Sequence, residues 1–223
     1  MSARVTPLLH RDDPEKDPLV GHTKVTREDW LNVARDVLVS DGVAEVKVLA
    51  LGTRLDVSRS SFYGYFKSRN DLLDALLDDW EERNTATIVK SCAREVASIS
   101  QGICNFFACF LDPDQLDQGL DSAVRDWSRR DGRVRQRIDA ADNARLDAIA
   151  AMFVRSGYSD YDADSRARIL YFMQVGYHAV ELREPIDARM MRLEGYVRGF
   201  SGADPDPAVL ADFRAFVQAL GLK

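Results

Sequence analysis

Apolar residues recur along most of this chain at helical spacing, and no stretch alternates convincingly with a period of two. The pattern begins after Thr26. Trp30, Val33, Ala34, Val37 and Leu38 fall at i, i+3, i+4, i+7 and i+8, one face of a helix with 3.6 residues per turn. Thr26 followed three residues later by Asp29 has the form of a capping box, and Gly42 supplies a left-handed stop. Between Val46 and Phe66 the period breaks into two short pieces, Val48 to Leu55 and Ser58 to Tyr65, joined by Asp56-Val57. So tight a join makes the two pieces cross steeply. Ser58 is placed to cap the second, its hydroxyl accepting from the first free amides. A second Ser-x-x-Asp start at Ser68 leads into Leu72, Leu73, Leu76, Leu77 and Trp80, a helix with room to run on.

The remainder repeats the helical signal. Ala97 to Leu111 reads as a buried helix ended by Asp112-Pro113, and Gln115 to Ser128 as an amphipathic one. A long helix follows from Arg133 to Phe153, with Leu146, Ile149, Ala150 and Phe153 on one face before Gly157. Residues 164–182 form another, apolar nearly all round in its second half, a property of helices that are fully buried or shared with a partner. Helices from Ile186 to Gly199 and from Pro207 to Leu220 complete the chain. The fold expected is all-α: an arm over 1–24, a three-helix domain over 25–70, and a larger helical domain over 71–223.

Composition alters this picture at one point. The 223 residues are 46% apolar and 30% charged, an ordinary globular balance, and the net charge of −6 argues against nucleic acid if read for the chain as a whole. The charge is unevenly spread. Residues 1–23 carry −1, residues 24–70 carry +2 and residues 71–223 carry −7. The stretch Val57 to Arg69 has three cations and no acid. Cys92, Cys104 and Cys109 are odd in number and lack CxxC spacing, so a reduced, buried state is expected, with no metal and no disulfide framework. The arm has no apolar core of a signal peptide, and the longest apolar runs fall short of the roughly 20 residues of a membrane span, which predicts a cytoplasmic protein.

Two short helices tightly joined behind a third are what a helix-turn-helix requires, one helix crossing the DNA backbone while the next enters the major groove. Hydroxyls and Arg59 at the start of the second reach phosphates and base edges, and tyrosine hydroxyls donate to phosphate oxygens. The run from Thr26 to Trp80, above all Val57-Ser58-Arg59-Ser60-Ser61-Phe62-Tyr63-Gly64-Tyr65-Phe66-Lys67-Ser68-Arg69, resembles the DNA-binding domain of the TetR family of transcriptional regulators. The resemblance implies a homodimer that binds double-stranded operator DNA. It also implies a C-terminal domain that dimerises and takes a small-molecule effector, with no cofactor and no membrane. By position, it assigns DNA contact to Lys47, Ser58, Arg59, Ser60, Ser61, Tyr63, Tyr65 and Lys67, with Phe62 and Phe66 in the core. The chain departs from the family's pattern at Lys47, where a hydroxyl residue caps the helix, at Gly52 in place of Ala, at Asp56 in place of a turn Gly, and at Gly64 inside the recognition helix.

For the C-terminal domain the residues leave two readings open. Phe106, Phe107, Phe110, Arg125, Trp127, Tyr171, Met173, Tyr177 and His178 either line an effector pocket or belong to the core and its surface. Arg129, Arg130, Arg133, Arg135 and Arg137 are interspersed with Asp126, Asp131 and Asp139, which reads as ion pairs and not as a second DNA site. Catalytic motifs for phosphate, dinucleotide, metalloprotease or serine-hydrolase chemistry are missing, and only three histidines occur, so an enzyme is disfavoured. The competing non-enzymatic reading is a helical dimeric adaptor, or a DNA-binding protein without a small-molecule signal. It leaves the role of the basic, hydroxyl-rich segment, or of a pocket, unaccounted for.

Overall fold

A computed structural model describes residues 25–222 apart from Pro113, Glu181 and Arg183. The proposed arm lies outside these residues. Among the described residues every regular element is helical, and no helix is long and apolar enough to cross a membrane. The chain divides into two compact units between Asp79 and Trp80.

The first unit holds α1 (Arg27–Asp41), a 3-10 turn (Val43–Glu45), α2 (Val48–Arg54), α3 (Arg59–Phe62) and most of α4 (Arg69–Trp80). The capping box at its start is formed as the sequence predicts: the Asp29 amide donates to Thr26 Oγ1 at 3.2 Å, and the Thr26 amide to Asp29 Oδ2 at 2.8 Å. Trp30, Ala34, Val37 and Leu38 of α1 are buried, as are Leu51, Leu55, Phe62, Leu72 and Leu76 of the segments that follow, and Trp30 meets Phe62 edge-on. At the start of α4 the second Ser-x-x-Asp signal is met in a shifted form. Ser68 accepts from the Asp71 amide, while the Asp71 carboxylate reaches back one residue further, to the Lys67 amide.

The second unit contains a π segment (Glu81–Thr85), α5 (Ala86–Cys92), α6 (Ile99–Leu111), α7 (Gln118–Ser128), α8 (Gly132–Arg155), α9 (Asp160–Ala179), α10 (Ile186–Met191), α11 (Leu193–Ser201) and α12 (Pro207–Ala219). Side chains of Ser98, Asp117, Asp131, Ser159 and Asp206 cap α6, α7, α8, α9 and α12, each accepting from amides of the first turn. The helix predicted from Ile186 to Gly199 is two helices, broken at Arg192. Antiparallel α8 and α9 form the spine, with α5 and α7 against α8 and α12 against α6.

The three cysteines are free and buried. Burial pushes the Cys92 and Cys104 thiols up to about 12, so neither is a thiolate at neutral pH. Within the basic cluster, Arg129 pairs with Asp126, Arg135 with Asp139 at 2.9 Å and Arg137 with Glu81 at 2.7 Å.

Replacing Thr26 with Ala removes one partner of the capping box, and the first unit is expected to lose about 1 kcal/mol of stability, with Thr26→Ser retaining most of it. Denaturant unfolding followed by circular dichroism checks this.

Candidate functional site

The segment expected to read DNA is anchored from behind by residues that the resemblance places in the core. Phe62 is fully buried, its ring 5.3 Å from Trp30 in an edge-on contact and 5.4 Å from Phe66. The turn between α2 and α3 is made by Asp56 at φ +54°, the left-handed region that Asp tolerates better than most residues. Behind it the Val57 amide donates to the Gly52 carbonyl at 2.9 Å. A Cβ on Gly52 would stand 3.1 Å from the Val57 carbonyl oxygen, so the missing side chain is what lets this turn close so tightly.

Local structure here departs from the sequence reading in three ways. Helix α3 covers only Arg59–Phe62, after which the Tyr65 and Phe66 amides both return to the Phe62 carbonyl at 3.0 Å. Gly64 therefore sits in a turn and not in a helix interior. Ser58 does not cap α3; its hydroxyl bonds the Ser60 hydroxyl at 2.7 Å. Tyr65 faces inward, its hydroxyl donating to the Val25 carbonyl at 2.6 Å. Its one proton is committed there, which removes it as a donor to phosphate. Arg69, not singled out as a site residue, fastens the start of α4 to the loop before α2, donating to the carbonyls of Val46 at 2.6 Å and Val43 at 2.5 Å.

What remains on the surface is a small cationic and hydroxylic array. Ser58, Arg59, Ser60, Tyr63 and Lys67 are exposed, and Ser61 is half-buried. Arg59 donates to the Tyr63 hydroxyl at 2.8 Å and lies over its ring at 5.6 Å, so the Tyr63 hydroxyl accepts from the guanidinium and keeps its own proton for an outside acceptor. Lys47 occupies the N-cap position of α2 without capping it, and its ammonium pairs with Glu45 at 3.0 Å in solvent, a contact of little energy.

In the second unit, α7, α8 and α9 enclose a buried polar network. Arg145 is 2% exposed and lies on the otherwise apolar face of α8. Its guanidinium donates to Asp121 at 2.9 Å, to the Thr85 hydroxyl at 2.9 Å and to the Tyr171 hydroxyl at 3.1 Å, and it stacks over Trp80 at 5.3 Å. Trp80 Nε1 donates to the same Asp121 oxygen at 2.9 Å. Arg125 bonds Asp121 at 2.9 Å and Asp142 with both terminal nitrogens, at 2.6 and 3.0 Å. Tyr171 donates to Asp142 at 2.6 Å and accepts from both arginines. Burial alone would raise the Asp121 carboxyl, but Arg145 and Arg125 outweigh it and hold it well below the usual carboxylate range. Burial pushes the Tyr171 phenol up to about 12, so it remains a neutral hydroxyl.

A cavity of about 170 Å³ opens against this network. Phe110, Arg125, Tyr171 and His178 line it, as one of the two sequence readings has it. Leu116, Gln118, Asp121, Ser122, Arg145 and Val175 line it too, and periodicity did not single them out as pocket residues. Arg145 alone left a signal, a cation at the α8 register position between Ala141 and Ile149. Phe107, Met173 and Tyr177 border a separate space of only about 30 Å³. Phe106 is fully buried core, and Trp127 is buried with its Nε1 donating to Asp131 at 3.3 Å, beside the α8 cap. His178 stacks on Phe110 at 5.7 Å. Burial and Arg189 lower its pKa, so the ring is neutral at pH 7 and accepts at Nε2 from the Gln174 amide at 2.6 Å. Among the described residues no group of three or more His, Cys, Asp or Glu could hold a metal ion.

Removing Arg145 leaves Asp121 in a largely buried site with only Arg125 and Trp80. Because the Asp121 side chain keeps 19% of its exposure, the low end of the usual penalty applies, and Arg145→Met is expected to cost about 3 kcal/mol. The folded carboxyl sits below its unfolded value, so its contribution is present above the ordinary carboxylate range and is lost as pH falls below it. Acid unfolding of the wild type should therefore be steeper than that of Arg145→Met, a difference read by melting temperature against pH.

Comparison with known proteins bears on both units. Residues 31–76 match the model for bacterial regulatory proteins of the tetR family. No curated protein sequence matches the chain. Three solved structures share its fold at low identity. Salmonella enterica GusR is 16% identical over 89% of this chain and 98% of its own, with a TM-score of 0.55. SCO7518 from Streptomyces coelicolor A3(2) is 15% identical over 79% and 98%, with a TM-score of 0.56. Mycobacterium smegmatis AmtR is 18% identical over 92% and 98%, with a TM-score of 0.50. The N-terminal helix-turn-helix segment is thus similar to the DNA-binding domain of tetR-family regulatory proteins, and the chain as a whole shares the helical fold of these solved structures.

Proposed function

We propose that the chain is a cytoplasmic, non-enzymatic repressor that binds a pseudo-palindromic operator as a homodimer and is released by a small-molecule effector. The observation that carries the DNA reading is the exposed array of Ser58, Arg59, Ser60, Tyr63 and Lys67 set on a fully buried Phe62. Two such arrays entering successive major grooves would stand about 34 to 36 Å apart. Selection from a randomised duplex pool should yield a two-fold symmetric site with that half-site spacing. On the selected site, Tyr63→Phe and Lys67→Ala should weaken binding across sequences, Lys67→Ala lowering the salt slope by about one. Arg59→Ala should cost about 1 to 3 kcal/mol and change sequence preference as well. Unaltered gel-shift affinity in all three variants would reject the assignment.

The dimer is supported by α9, which buries Ala163, Ala167, Leu170, Tyr171 and Gln174 on one face. The opposite face exposes Tyr161 at 83%, Ile169 at 59%, Phe172 at 51% and Val180 at 69%. Exposed apolar side chains along one helix face support an interface there. The sequence reading points to the same helix, since the apolar second half of residues 164–182 has the character of a helix that is buried or shared with a partner. Sedimentation at micromolar concentration should give a dimer for the wild type and a monomer for Ile169→Glu combined with Phe172→Glu.

Effector control is supported by the 170 Å³ cavity and by what its polar wall holds. Trp80 and Thr85 directly follow the first unit in sequence, and both are bonded to the Arg145 and Asp121 groups that line the cavity. Asn84 between them is buried and makes two bonds to the Asp117 backbone at the start of α7. A π segment at this place fits a functional role, since such bulges recur at functional sites. An effector that competes for those bonds would favour a second arrangement of the segment, which is coupling through two states.

A further inference from the structure

We propose that the effector of the 170 Å³ cavity is a compact single-ring organic acid, its carboxylate received by Arg125 and Arg145 and its ring seated by Phe110 and His178. This rests on the reading of the cavity as an effector site and specifies the ligand's chemistry.

The polar wall is asymmetric in what it has left to offer. Both oxygens of Asp121 are engaged, one by Trp80 and Arg145 and the other by Arg125. Both oxygens of Asp142 are taken by Arg125, one of them also by Tyr171. The Tyr171 hydroxyl spends its proton on Asp142 and accepts twice. Each guanidinium, by contrast, has bonds to four of its five N–H groups and keeps one on Nη1. The neutral His178 ring, accepting at Nε2, carries its proton on Nδ1. The wall therefore keeps donors on Arg125, Arg145 and His178, while Asp121, the bonded carboxylate that lines the cavity, has most of its acceptor sites filled. An ammonium ligand would meet two guanidinium groups, and of the two bonded carboxylates only Asp121 lines the cavity, with three of its roughly four acceptor sites already filled. A carboxylate meets charge-assisted donors, the strongest class of hydrogen bond available there. At the mouth, Asp126 and Arg129 pair with each other and cancel in sign.

The rest of the cavity sets the size and the apolar part of the ligand. Leu116, Val175 and the Phe110 ring, stacked on His178 with an interplanar angle of 22°, provide a flat apolar wall. A cavity of about 150 Å³ holds benzene, so this one has room for one ring and its acidic substituent, and not for a fused polycycle.

Benzoate, benzamide and benzylamine are matched probes of ring size that differ in charge. Calorimetric titration of the full-length protein should show benzoate binding at least tenfold more tightly than benzamide, with no binding of benzylamine. Arg125→Gln should abolish the preference for benzoate over benzamide. Because that change disturbs the network, Ser122→Trp serves as a second variant; it fills the cavity from an exposed wall position and should weaken benzoate at least tenfold. Benzamide binding as tightly as benzoate, benzylamine binding more tightly, benzoate binding unchanged by Ser122→Trp, or binding of none of the three would overturn the proposal. Operator retention measured beside the titration separates the two claims. If benzoate binds with the stated preference and the DNA complex persists, the ligand class stands and effector release fails. If only benzamide or benzylamine releases DNA, effector release stands and the organic acid falls.

Discussion

A buried guanidinium cannot be left unpaired, and in this protein the demands of Arg145 organise the second unit. Taking an unpaired cation out of water costs several kcal/mol, so α7 must bring Asp121, α9 must bring Tyr171 and the π segment must bring Thr85 to the same point. Arg125 and Asp142 then complete the charge balance, because Asp121 and Tyr171 each carry more hydrogen-bonding capacity than Arg145 alone uses. Side chains committed to this network do not fill the space beside Phe110, and a cavity remains there. Helix packing alone would have produced a core; one charged residue on the wrong face of α8 produces a polar-walled site.

The first unit follows the opposite logic, with polar side chains near its surface turned to structural use. Tyr65 and Arg69 spend their donors on backbone carbonyls of the residues before α1 and α2, and Arg27 lies over Phe66 at 5.0 Å. Four residues cannot form a stable helix by propensity, so α3 exists because Phe62 is buried against Trp30 and Phe66. On the surface of this anchored element Arg59 and Tyr63 pair with each other.

The net charge of −6 also acquires a physical place. The acids of the second unit serve largely as helix caps and as partners of arginine, as at Asp117, Asp131, Asp206, Asp121 and Asp142. Acidity of that kind stabilises a helical domain.

The turn at Asp56 and the burial of Phe62 and Phe66 followed from the family resemblance, while the sequence by itself determined the helical class and the start of α1 at its Thr26-Asp29 box. These last two are decided within a few residues, by apolar period or by a side chain bonding its own backbone. The sequence did not show that α3 ends at Phe62 or that Ser58 bonds Ser60 in place of capping, nor that Tyr65 turns inward, an outcome that depends on a carbonyl 40 positions away. Nor could periodicity separate Phe110, which faces the cavity, from Phe106, which is core, since both lie on the apolar side of α6. Only the tertiary structure decided that Arg125, Arg145, Tyr171 and Asp142 meet: they come from three helices, and hydrogen bonds across 17 to 46 residues of chain leave no periodic trace.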